Sequence, residues 1–443
     1  MVESNDSFDS TTYIPVPQTT MASSSKDDNN VIIYLNNAGS AWLDPQVRAL
    51  GQSILDLPPF DMHGETDQAK IRQLYATLID NHASNIAIMP STAFAITLVA
   101  RNVQRTHHQH FLSSFSDAAG DNKTTTINNK NKIVLLQDQF CSAVYPWQEI
   151  CEESISHNSN NNHHNLSLKI VPYPKDKQGG WTEAILEHLT DDVLCTCLPP
   201  LHWSDGALVG LKQIGVVCRQ KNIMLIVDAT QAVGILPCTV ESCGNPIVMA
   251  CSVHKWLRGP TGASLVYMDP KLYDIWQPLD QHGRSRDTAD GPAWDASKDE
   301  MGPNGYPEKY FKDARKFDSG GKPNPILLPM LRLGMEQAIE RVDLTTVQDH
   351  LKKLMTPLLE WALANGFTMT PGKHCYHLIG IRPTFLTVEE MLAFNAKLEK
   401  EHKVYIAVRC GAFRIAPYLD TTPDEIQRFI AILKQMCLKA CIR

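Results

Sequence analysis

Two stretches decide the fold: IMLIVDATQAVG at 223–234 and CSVHKWLRGPTG at 251–262. The first is an apolar strand that ends in Asp228, and the second carries Lys255 just before a Gly/Pro turn. Ligands of open α/β sheets bind at the carboxyl ends of the strands, and a carboxylate buried there needs a partner. An aspartate that keeps a ring nitrogen protonated and a lysine that forms an imine suit a Schiff-base cofactor. From these residues alone, an ordinary strand-end aspartate and a solvated lysine stay open as the alternative.

Further short apolar runs surround these stretches, with helix-length spacers between them. They are KIVLLQ at 132–137, SLKIVPY at 167–173, VLCTCLP at 193–199, PIVMACSVHK at 246–255 and ASLVYMD at 263–269. Continuous apolar runs are typical of buried parallel strands, and the spacer at 211–222 has the period of an amphipathic helix. The pattern predicts an α/β fold with a mostly parallel sheet covered by helices on both faces.

The pattern changes from about residue 325. Helices are predicted at 325–342 and 349–366, strands at 377–383 and 403–410, and a last helix that starts from a Thr422-Pro423 cap. We expect a smaller α+β domain here.

The chain is therefore predicted to divide into a disordered tail at 1–30, a large domain at 31–310 and a small domain at 311–443. The tail is rich in Ser, Asp, Thr and Asn and lacks apolar periodicity. Two polar, His- and Asn-rich insertions near 105–131 and 154–165 interrupt the large domain. Metal binding by these insertions is possible in principle, but loop expansions outside the core are favoured.

Composition excludes several classes of protein. Among 443 residues, 43% are hydrophobic and 20% charged, which is ordinary globular usage. The net charge of −7 argues against a nucleic-acid surface, and no apolar run approaches the roughly 18 residues of a membrane span. The start of the chain is acidic and polar, without the pattern of a secretory signal. We expect a cytoplasmic protein with reduced cysteines and no metal site, in which Cys195 and Cys197 occupy alternate positions of one strand.

VDATQAVG at 227–234 and SVHKWLRGPTGASLVY at 252–267 resemble the active-site core of the class V aminotransferase family. Its members are fold type I pyridoxal-phosphate enzymes, and cysteine desulfurases, kynureninases and isopenicillin-N-epimerase-like proteins are relatives. The resemblance runs from about Tyr34 to the C-terminus, and LPPLHWSDGALVGL at 198–211 is especially similar to one subgroup. It implies a seven-stranded sheet, pyridoxal 5′-phosphate as cofactor, a small-molecule amino-acid substrate and a homodimer with shared sites.

The resemblance assigns roles in cofactor binding residue by residue. Lys255 matches the Schiff-base lysine, whose released amine deprotonates the substrate Cα, and Asp228 matches the partner of the pyridine nitrogen. Gln231 is expected to hydrogen-bond the phenolic oxygen of the ring. Ser252 and His254 are expected to contact the phosphate.

Two further segments are similar to cofactor-binding parts of the family. IMPSTAFAITLVA at 88–100 resembles the phosphate turn, with Ser91 and Thr92 at a helix N-terminus, where backbone N–H groups favour anions. A plain helix cap is the alternative for these two residues. In DQFCSAVYPWQ at 138–148, Phe140 is the candidate for stacking on the cofactor ring, and a core phenylalanine is the alternative.

Two positions depart from the family pattern. Relatives often place a hydrogen-bonding residue in the loop HWSDG, but Trp203 replaces the Asn of desulfurases, which transfers the expected contact to His202. In KFDSGGKPN at 316–324, Lys322 stands where relatives have a Thr that reaches the phosphate of the neighbouring subunit, and Asn324 matches the segment's last residue. A lysine can meet a phosphate as a point charge.

The closing motif VRCGAFRIAPYLDTTPDEI at 408–426 supplies the expected substrate contacts. Arg414 is expected to clamp the substrate α-carboxylate in fork geometry, with Arg409 assisting, whereas a solvated surface arginine is the alternative. In YLNNAGSA, Asn37 and Ala38 match a small-residue turn that lines the substrate pocket of relatives. Their alternative is a simple turn after a strand.

The choice of reaction stays open between transamination, epimerisation or racemisation, desulfuration and kynureninase-type cleavage. A desulfurase needs a catalytic cysteine on a mobile loop between the two arginines, but here only residues 410–413 lie between them. Desulfuration is therefore disfavoured. Transamination is the default that the family implies, with a lyase or epimerase of the same family as the alternative. A pseudoenzyme is argued against by the intact cofactor-binding residues.

Overall fold

The computed structural model describes residues 32–58, 65–108, 130–156, 165–288 and 301–441. The chain from Ile32 onward forms one unit, and the division into a large and a small domain stays a prediction. The predicted tail and the central parts of both polar insertions lie outside the described residues. Within the described ranges, no helix combines the length and apolarity that crossing a membrane requires.

The strands of the first part of the chain form a seven-stranded sheet, apart from a short β1 (Ile33–Tyr34). The seven are β2 (Ile86–Met89), β3 (Lys132–Leu136), β4 (Ser167–Val171), β5 (Val193–Leu198), β6 (Met224–Asp228), β7 (Val248–Ser252) and β8 (Ser264–Met268). Their order is β2-β8-β7-β6-β5-β3-β4. All neighbours are parallel except for β8, which is antiparallel to both β7 and β2. The predicted α/β class with a mostly parallel sheet is confirmed.

The orientation of β8 follows from the short connection before it. A parallel pair needs a crossover of a dozen or more residues, usually through a helix. The segment between Ser252 and Ser264 is too short and too rich in Gly and Pro for a crossover helix, so the chain turns back. Strand β2 was not predicted, because IAIM is only four residues long and runs directly into the turn before the next helix.

Helices cover both faces of this sheet. They are α2 (Glu65–Leu78), α3 (Thr92–His108), α4 (Tyr145–Ser156), α5 (Gly180–His188) and α6 (Leu211–Gln220), whereas α1 (Pro45–Leu55) packs against a later helix at Leu327–Arg341. Alternate residues of β6 enter two different apolar cores: Leu225 and Val227 pack in one, and Ile226 packs in the other. Cys195 and Cys197 face the same core from β5, as predicted. Burial on both faces explains why these strands have continuous apolar sequences.

The last part of the chain adds four helices and a second sheet. Its elements are α7 (Leu327–Arg341), α8 (Val347–Ala364), β9 (Phe367–Thr368), β10 (Ile379–Pro383), α9 (Val388–His402), β11 (Val404–Tyr405), β12 (Ala407–Arg409), β13 (Ala412–Ile415) and α10 (Pro423–Cys441). The second sheet has the order β12-β13-β10-β9 and is antiparallel. The strand predicted at 403–410 is in fact two strands, and β11 pairs in parallel with β1. The predicted cap of α10 is present, since Thr422 and Glu425 exchange side chain-to-backbone hydrogen bonds.

Candidate active site

A cavity of about 350 Å³ lies at the carboxyl ends of β6 and β7, where ligands of open α/β sheets bind. The start of α3, the loop after β3 and the hairpin between β12 and β13 complete its wall. Most of the residues predicted from the sequence meet here. They are Ala38, Ser91, Thr92, Phe140, Asp228, Gln231, Ser252, His254, Lys255, Arg409 and Arg414.

Lys255 and Asp228 are the buried ionisable groups at the centre of the site. Only 9% of each residue is exposed. Burial lowers the pKa of the Lys255 amine to about 8, an effect that the nearby Asp228 opposes. Burial raises the pKa of the Asp228 carboxyl, whereas the Thr230 hydrogen bonds and the charge of Lys255 act in the other direction. The lysine can therefore supply a neutral amine near physiological pH, and the aspartate is suited to a cationic partner.

A group of hydroxyls surrounds the N-terminus of α3. The Thr92 hydroxyl oxygen lies 2.8 Å from that of Ser252, 3.3 Å from that of Ser264 and 3.4 Å from that of Thr230. The Ser91 hydroxyl accepts a hydrogen bond from the backbone N–H of Phe94 at 3.1 Å, so the helix cap is present. A helix N-terminus with several hydroxyls favours an anion such as a phosphate.

Gln231 and His254 flank the lysine. The Gln231 amide donates to the backbone oxygen of Ala38 at 3.0 Å and accepts from the Trp256 indole at 2.9 Å, which fixes its orientation. Burial and the charge of Lys255 lower the pKa of the His254 imidazole to about 4. His254 is therefore neutral at physiological pH and can offer a hydrogen bond without adding charge.

Aromatic rings close one side of the cavity. Phe140 is 36% exposed and meets Trp203 edge-to-face, with ring centroids 5.2 Å apart and planes inclined by 74°. The Lys255 Nζ atom lies 5.4 Å from the centroid of the Phe140 ring. Phe140 is therefore not a core residue, and its position is compatible with the predicted stacking on a planar cofactor. Trp203 is held in place by its indole N–H, which donates to the backbone oxygen of Asp138 at 2.7 Å.

Arg414 on β13 is a buried cation that faces the cavity. Only 3% of it is exposed, and its guanidinium donates to the Asn36 side-chain oxygen at 3.2 Å and to the Trp203 backbone oxygen at 3.4 Å. Within the described residues, its Nε atom has no hydrogen-bond partner. Burial and the charge of Arg409 lower its pKa to about 10. An incompletely bonded, buried guanidinium is suited to a carboxylate ligand. Arg409 is exposed at the rim.

Four of the predicted residues do not line this cavity, and the side chains of two of them, Asn37 and His202, bond elsewhere. Asn37 donates its amide to the backbone oxygen of Ala416 at 2.9 Å, and the preceding Asn36 contacts Arg414 instead. His202 is fully buried, with its ring nitrogens 2.8 Å from the Ser204 hydroxyl and 3.1 Å from the Gln137 backbone oxygen. The adjacent Trp203 lines the cavity in its place.

Lys322 and Asn324 lie on a different cavity, of about 770 Å³, rather than at this site. The Asn324 side-chain oxygen accepts backbone hydrogen bonds from Ile326 at 3.0 Å and Leu327 at 2.8 Å, and so caps the start of α7. The predicted contact of Lys322 with the phosphate of a neighbouring subunit stays a prediction.

Sequence reasoning did not predict that Trp203, rather than His202, lines the cavity. It also missed three residues that contact site residues. The Asn36 side chain accepts a hydrogen bond from Arg414, and the Ser264 hydroxyl belongs to the cluster of hydroxyls around Thr92. The Thr230 backbone N–H donates to the Asp228 carboxylate at 3.1 Å. A signal was present for Thr230, because an Asp whose side chain bonds the backbone two residues later forms a common turn. For Asn36, the signal was the extended chain after β1, in which successive side chains point to opposite sides, so that Asn36 and Asn37 could not both face the cavity.

The site fits pyridoxal 5′-phosphate in each of its parts. Thr92, Ser252 and the start of α3 would hold the phosphate, Asp228 would pair with the ring nitrogen, and Lys255 would bind the aldehyde carbon. The free Nε of Arg414 leaves a place for a substrate carboxylate. Among the described residues, no cluster of His, Cys, Asp or Glu could hold a metal ion.

Comparison with known proteins points to the same group of enzymes. The family model described as Aminotransferase class-V matches residues 113–360, which is more than half of the chain. An uncharacterised aminotransferase, YcbU of Bacillus subtilis (strain 168), is 22% identical over 361 residues, which cover 81% of each chain.

Two solved structures have the same fold. The apo cysteine desulfurase of Thermococcus onnurineus NA1 has a TM-score of 0.70 and 16% identity, with 91% of this chain and 94% of the other covered. A C-DES mutant with glycine covalently linked to its PLP cofactor has a TM-score of 0.69 and 17% identity, with 91% and 96% covered. The chain therefore belongs to the class V aminotransferase family, whose members are fold type I enzymes that use pyridoxal 5′-phosphate.

Proposed function

We propose that this protein is a pyridoxal-phosphate-dependent aminotransferase that acts on the Cα of an amino-acid substrate, with Lys255 as the Schiff-base lysine. The observation that carries the proposal is the meeting of Lys255, Asp228 and Arg414 in one cavity at the ends of β6 and β7. Family membership supports an enzyme of this cofactor class. The aminotransferase reaction and the residue roles are our inference.

Binding of substrate begins at Arg414. Its buried guanidinium binds the α-carboxylate by charge-assisted hydrogen bonds, which are stronger in a site sheltered from water. Asn36 and the Trp203 backbone hold two of its nitrogens, so the free Nε fixes where the carboxylate lies. The exposed Arg409 adds a second positive charge at the rim. Because Arg414 and Lys255 line the same cavity, we infer that the substrate Cα approaches Lys255 when the carboxylate is bound.

Proton transfer is the task of Lys255. The pKa of about 8 lets its Nζ accept a proton from the substrate Cα and return it to another atom within reach. With the cofactor bound, the negative charge of Asp228 would keep the ring nitrogen protonated. Bound here, pyridoxal phosphate supplies the electron sink that stabilises the charge left at Cα.

The geometry between the two arginines disfavours desulfuration. Arg409 pairs with Ala412 across the hairpin, and only Cys410 and Gly411 form the turn, with φ angles of 48° and 68°. A two-residue turn with positive φ angles is a tight, regular hairpin rather than a mobile loop. Cys410 therefore lacks the reach that a persulfide carrier needs, and this supports transamination over desulfuration.

A panel of amino acids tests the proposal, each incubated with the cofactor-loaded protein with and without a 2-keto acid. Turnover that requires the keto acid, and that disappears in K255A, is the expected result. Release of pyruvate or sulfide without any keto acid would establish a lyase instead, and inversion of Cα without an acceptor would establish an epimerase. Borohydride reduction should attach the cofactor to the peptide that contains Lys255, and labelling elsewhere would contradict the site.

We also propose a cytoplasmic homodimer, with Lys322 of each subunit near the phosphate of the other. Lys322 lines a cavity other than the candidate active site of its own chain, which leaves it available to a second copy. Sedimentation equilibrium tests the assembly. A K322A variant should lower cofactor affinity only if the contact between subunits exists.

A further inference from the structure

A cavity of about 990 Å³ lies beside the start of α6 and shares no lining residue with the candidate active site among the described residues. The segment that follows β6 forms part of its wall and contributes Cys238 and Cys243. Each of these two cysteines is only 3% exposed. No role proposed above uses either thiol.

Cys238 and Cys243 face each other, with their sulfur atoms 3.3 Å apart. The intervening turn brings them together. The Cys243 backbone N–H donates to the oxygen of Thr239 at 3.0 Å, and the Thr239 and Ser242 hydroxyls accept each other's backbone N–H at 3.0 and 2.8 Å. Hydrogen bonds independent of the sulfur atoms therefore hold the two thiols in contact, and their effective concentration toward each other is high.

The remaining approach is small. A disulfide has an S–S distance of about 2.05 Å, so closure needs an approach of about 1.3 Å, which side-chain rotation can provide. The two thiols also differ in acidity. Hydrogen bonding between them lowers the pKa of the Cys243 thiol and raises the pKa of the Cys238 thiol. Cys243 is thus the better nucleophile of the two, because the thiolate is the reactive form.

Other buried cysteines lack these properties. Burial raises the pKa of the thiols of Cys195, Cys197 and Cys251, which keeps them protonated. None of the three lines the cavity of about 990 Å³. An oxidant should therefore react preferentially with Cys238 and Cys243, because their sulfur atoms are in contact, the pKa of Cys243 is lowered, and both residues line the cavity.

We propose that Cys238 and Cys243 are a redox modification site, which a small hydroperoxide entering the cavity oxidises to an intramolecular disulfide. The Cys243 thiolate attacks one peroxide oxygen, the O–O bond breaks, and a sulfenic acid forms on Cys243 with release of one water. The Cys238 sulfur then displaces the sulfenic oxygen, which leaves as a second water. Two thiols and one hydrogen peroxide thus give one disulfide and two waters, and the two electrons pass from sulfur to oxygen.

Peptide mapping of the wild-type, folded protein tests this directly. After hydrogen peroxide treatment, the protein is denatured in the presence of N-ethylmaleimide, which blocks all free thiols. The chain is then cut by trypsin and by a glutamate-specific protease. The segment between Lys221 and Lys255 contains no Lys or Arg, and Glu241 is the only Glu within that segment. The cut after Glu241 therefore separates Cys238 from Cys243. We expect the two fragments to stay joined until dithiothreitol is added.

Controls distinguish this link from other oxidation. Cys251 lies on the same fragment as Cys243, so C251S should keep the link and C243S should abolish it. Cys195 and Cys197 should remain alkylated by N-ethylmaleimide in the same sample. The proposal is overturned if both thiols of the pair are alkylated after peroxide, if Cys243 accumulates as sulfinic acid without a link, or if the link survives in C243S. The readout requires no catalytic activity, so it stands apart from the proposed function.

Discussion

The hydroxyl oxygen of Thr92 lies 2.8 Å from that of Ser252, which joins the first turn of α3 to the carboxyl end of β7. The contact couples a helix N-terminus to the strand that leads into Lys255. Because Ser264 and Thr230 also lie within 3.4 Å of the Thr92 hydroxyl, their orientations depend on one another. These mutual contacts hold the hydroxyls in one arrangement, which lowers the cost of binding an anion.

Replacing Thr92 by Val should weaken cofactor binding. The change keeps the shape of the side chain but removes its hydroxyl, and a lost hydrogen bond to a charged group is worth about 1.5 kcal/mol or more. We expect the dissociation constant of pyridoxal phosphate to rise by about tenfold in a fluorescence titration. Thr97 is the matched control, since its hydroxyl only bonds the backbone oxygen of Ala93 at 2.8 Å within the same helix. Equal weakening in T97V would contradict the assignment.

Replacing Arg414 by Lys should raise KM for the amino acid with little change in cofactor affinity. Lysine keeps the charge but loses the fork that binds a carboxylate in two places. The loss of a charge-assisted bond, about 2 kcal/mol, corresponds to a roughly thirtyfold fall in kcat/KM. Steady-state kinetics with the best substrate of the panel provide the measurement.

The neighbouring asparagines give a matched pair of controls for this prediction. Asn36 bonds Arg414, whereas Asn37 bonds the backbone of Ala416. We expect N36A to raise KM several-fold, and N37A to lower the thermal midpoint while KM stays near the wild-type value. A larger effect of N37A on KM would restore the role that the sequence alone suggested for Asn37.

The fate of these two asparagines illustrates what sequence could and could not predict. The meeting of Asp228 and Lys255 in one cavity was predictable because the order of segments resembles a family, whereas the two residues alone left an ordinary strand-end aspartate and a solvated lysine open. The choice between Asn36 and Asn37 depends on which way one peptide turns after β1. The same holds for His202 and Trp203, where a buried network around the Ser204 hydroxyl holds the imidazole. In both pairs, side-chain direction decides which of two adjacent residues reaches the site, and tertiary contacts set that direction.

The apolar strand sequences made the sheet predictable but did not reveal the direction of each strand. Continuous apolar runs and helix-length spacers indicate parallel strands, and burial on both faces maintains that pattern. The antiparallel β8 has an equally apolar sequence, so its composition carries no sign of direction. Only the short connection from Ser252 to Ser264 indicates the reversal.

The buried amine of Lys255 should make the stability of the cofactor-free protein depend on pH. Its pKa is lowered from 10.5 to about 8, so between these values the unfolded chain binds more protons than the folded one. Stability of the wild type relative to K255M should therefore rise with pH from about 8 to 10.5, by about 3 kcal/mol in total. Urea unfolding of both proteins at pH 7.5 and 10 measures most of the difference. An equal change with pH in the free energy of unfolding of the wild type and K255M would show that the Lys255 amine is solvated.

Replacing Cys410 by Ser should leave turnover within about twofold of the wild type. The thiol sits in a two-residue hairpin, 3.9 Å from the backbone oxygen of Asp138, and has no role in the proposed transamination. Assays with the best amino-acid substrate and with cysteine provide the comparison. If C410S abolished sulfide release from cysteine while the wild type produced it, the protein would be a desulfurase with an unusually short loop.

The ion pair between the buried Asp205 and the partly buried Arg382 should stabilise the loop that carries Trp203. Asp205 is fully buried, and its carboxylate accepts from the Arg382 guanidinium at 2.9 Å. Burial raises the pKa of Asp205, but interactions with His202 and Arg382 and a hydrogen bond from Thr370 outweigh it and hold the pKa below its ordinary value. Removing one member of a buried ion pair costs about 3–5 kcal/mol, because the other charge is left without compensation.

The two partners can be separated by a double-mutant cycle on the free energy of unfolding. We expect D205N and R382M each to destabilise the protein by about 3 kcal/mol, and the double variant to lose clearly less than the sum. Near-additive losses would mean that the two side chains act independently. Substrate KM should rise in D205N if the loop positions the Trp203 backbone oxygen for Arg414, since that oxygen accepts from the guanidinium. An unchanged KM in a folded D205N would limit the pair to a role in stability.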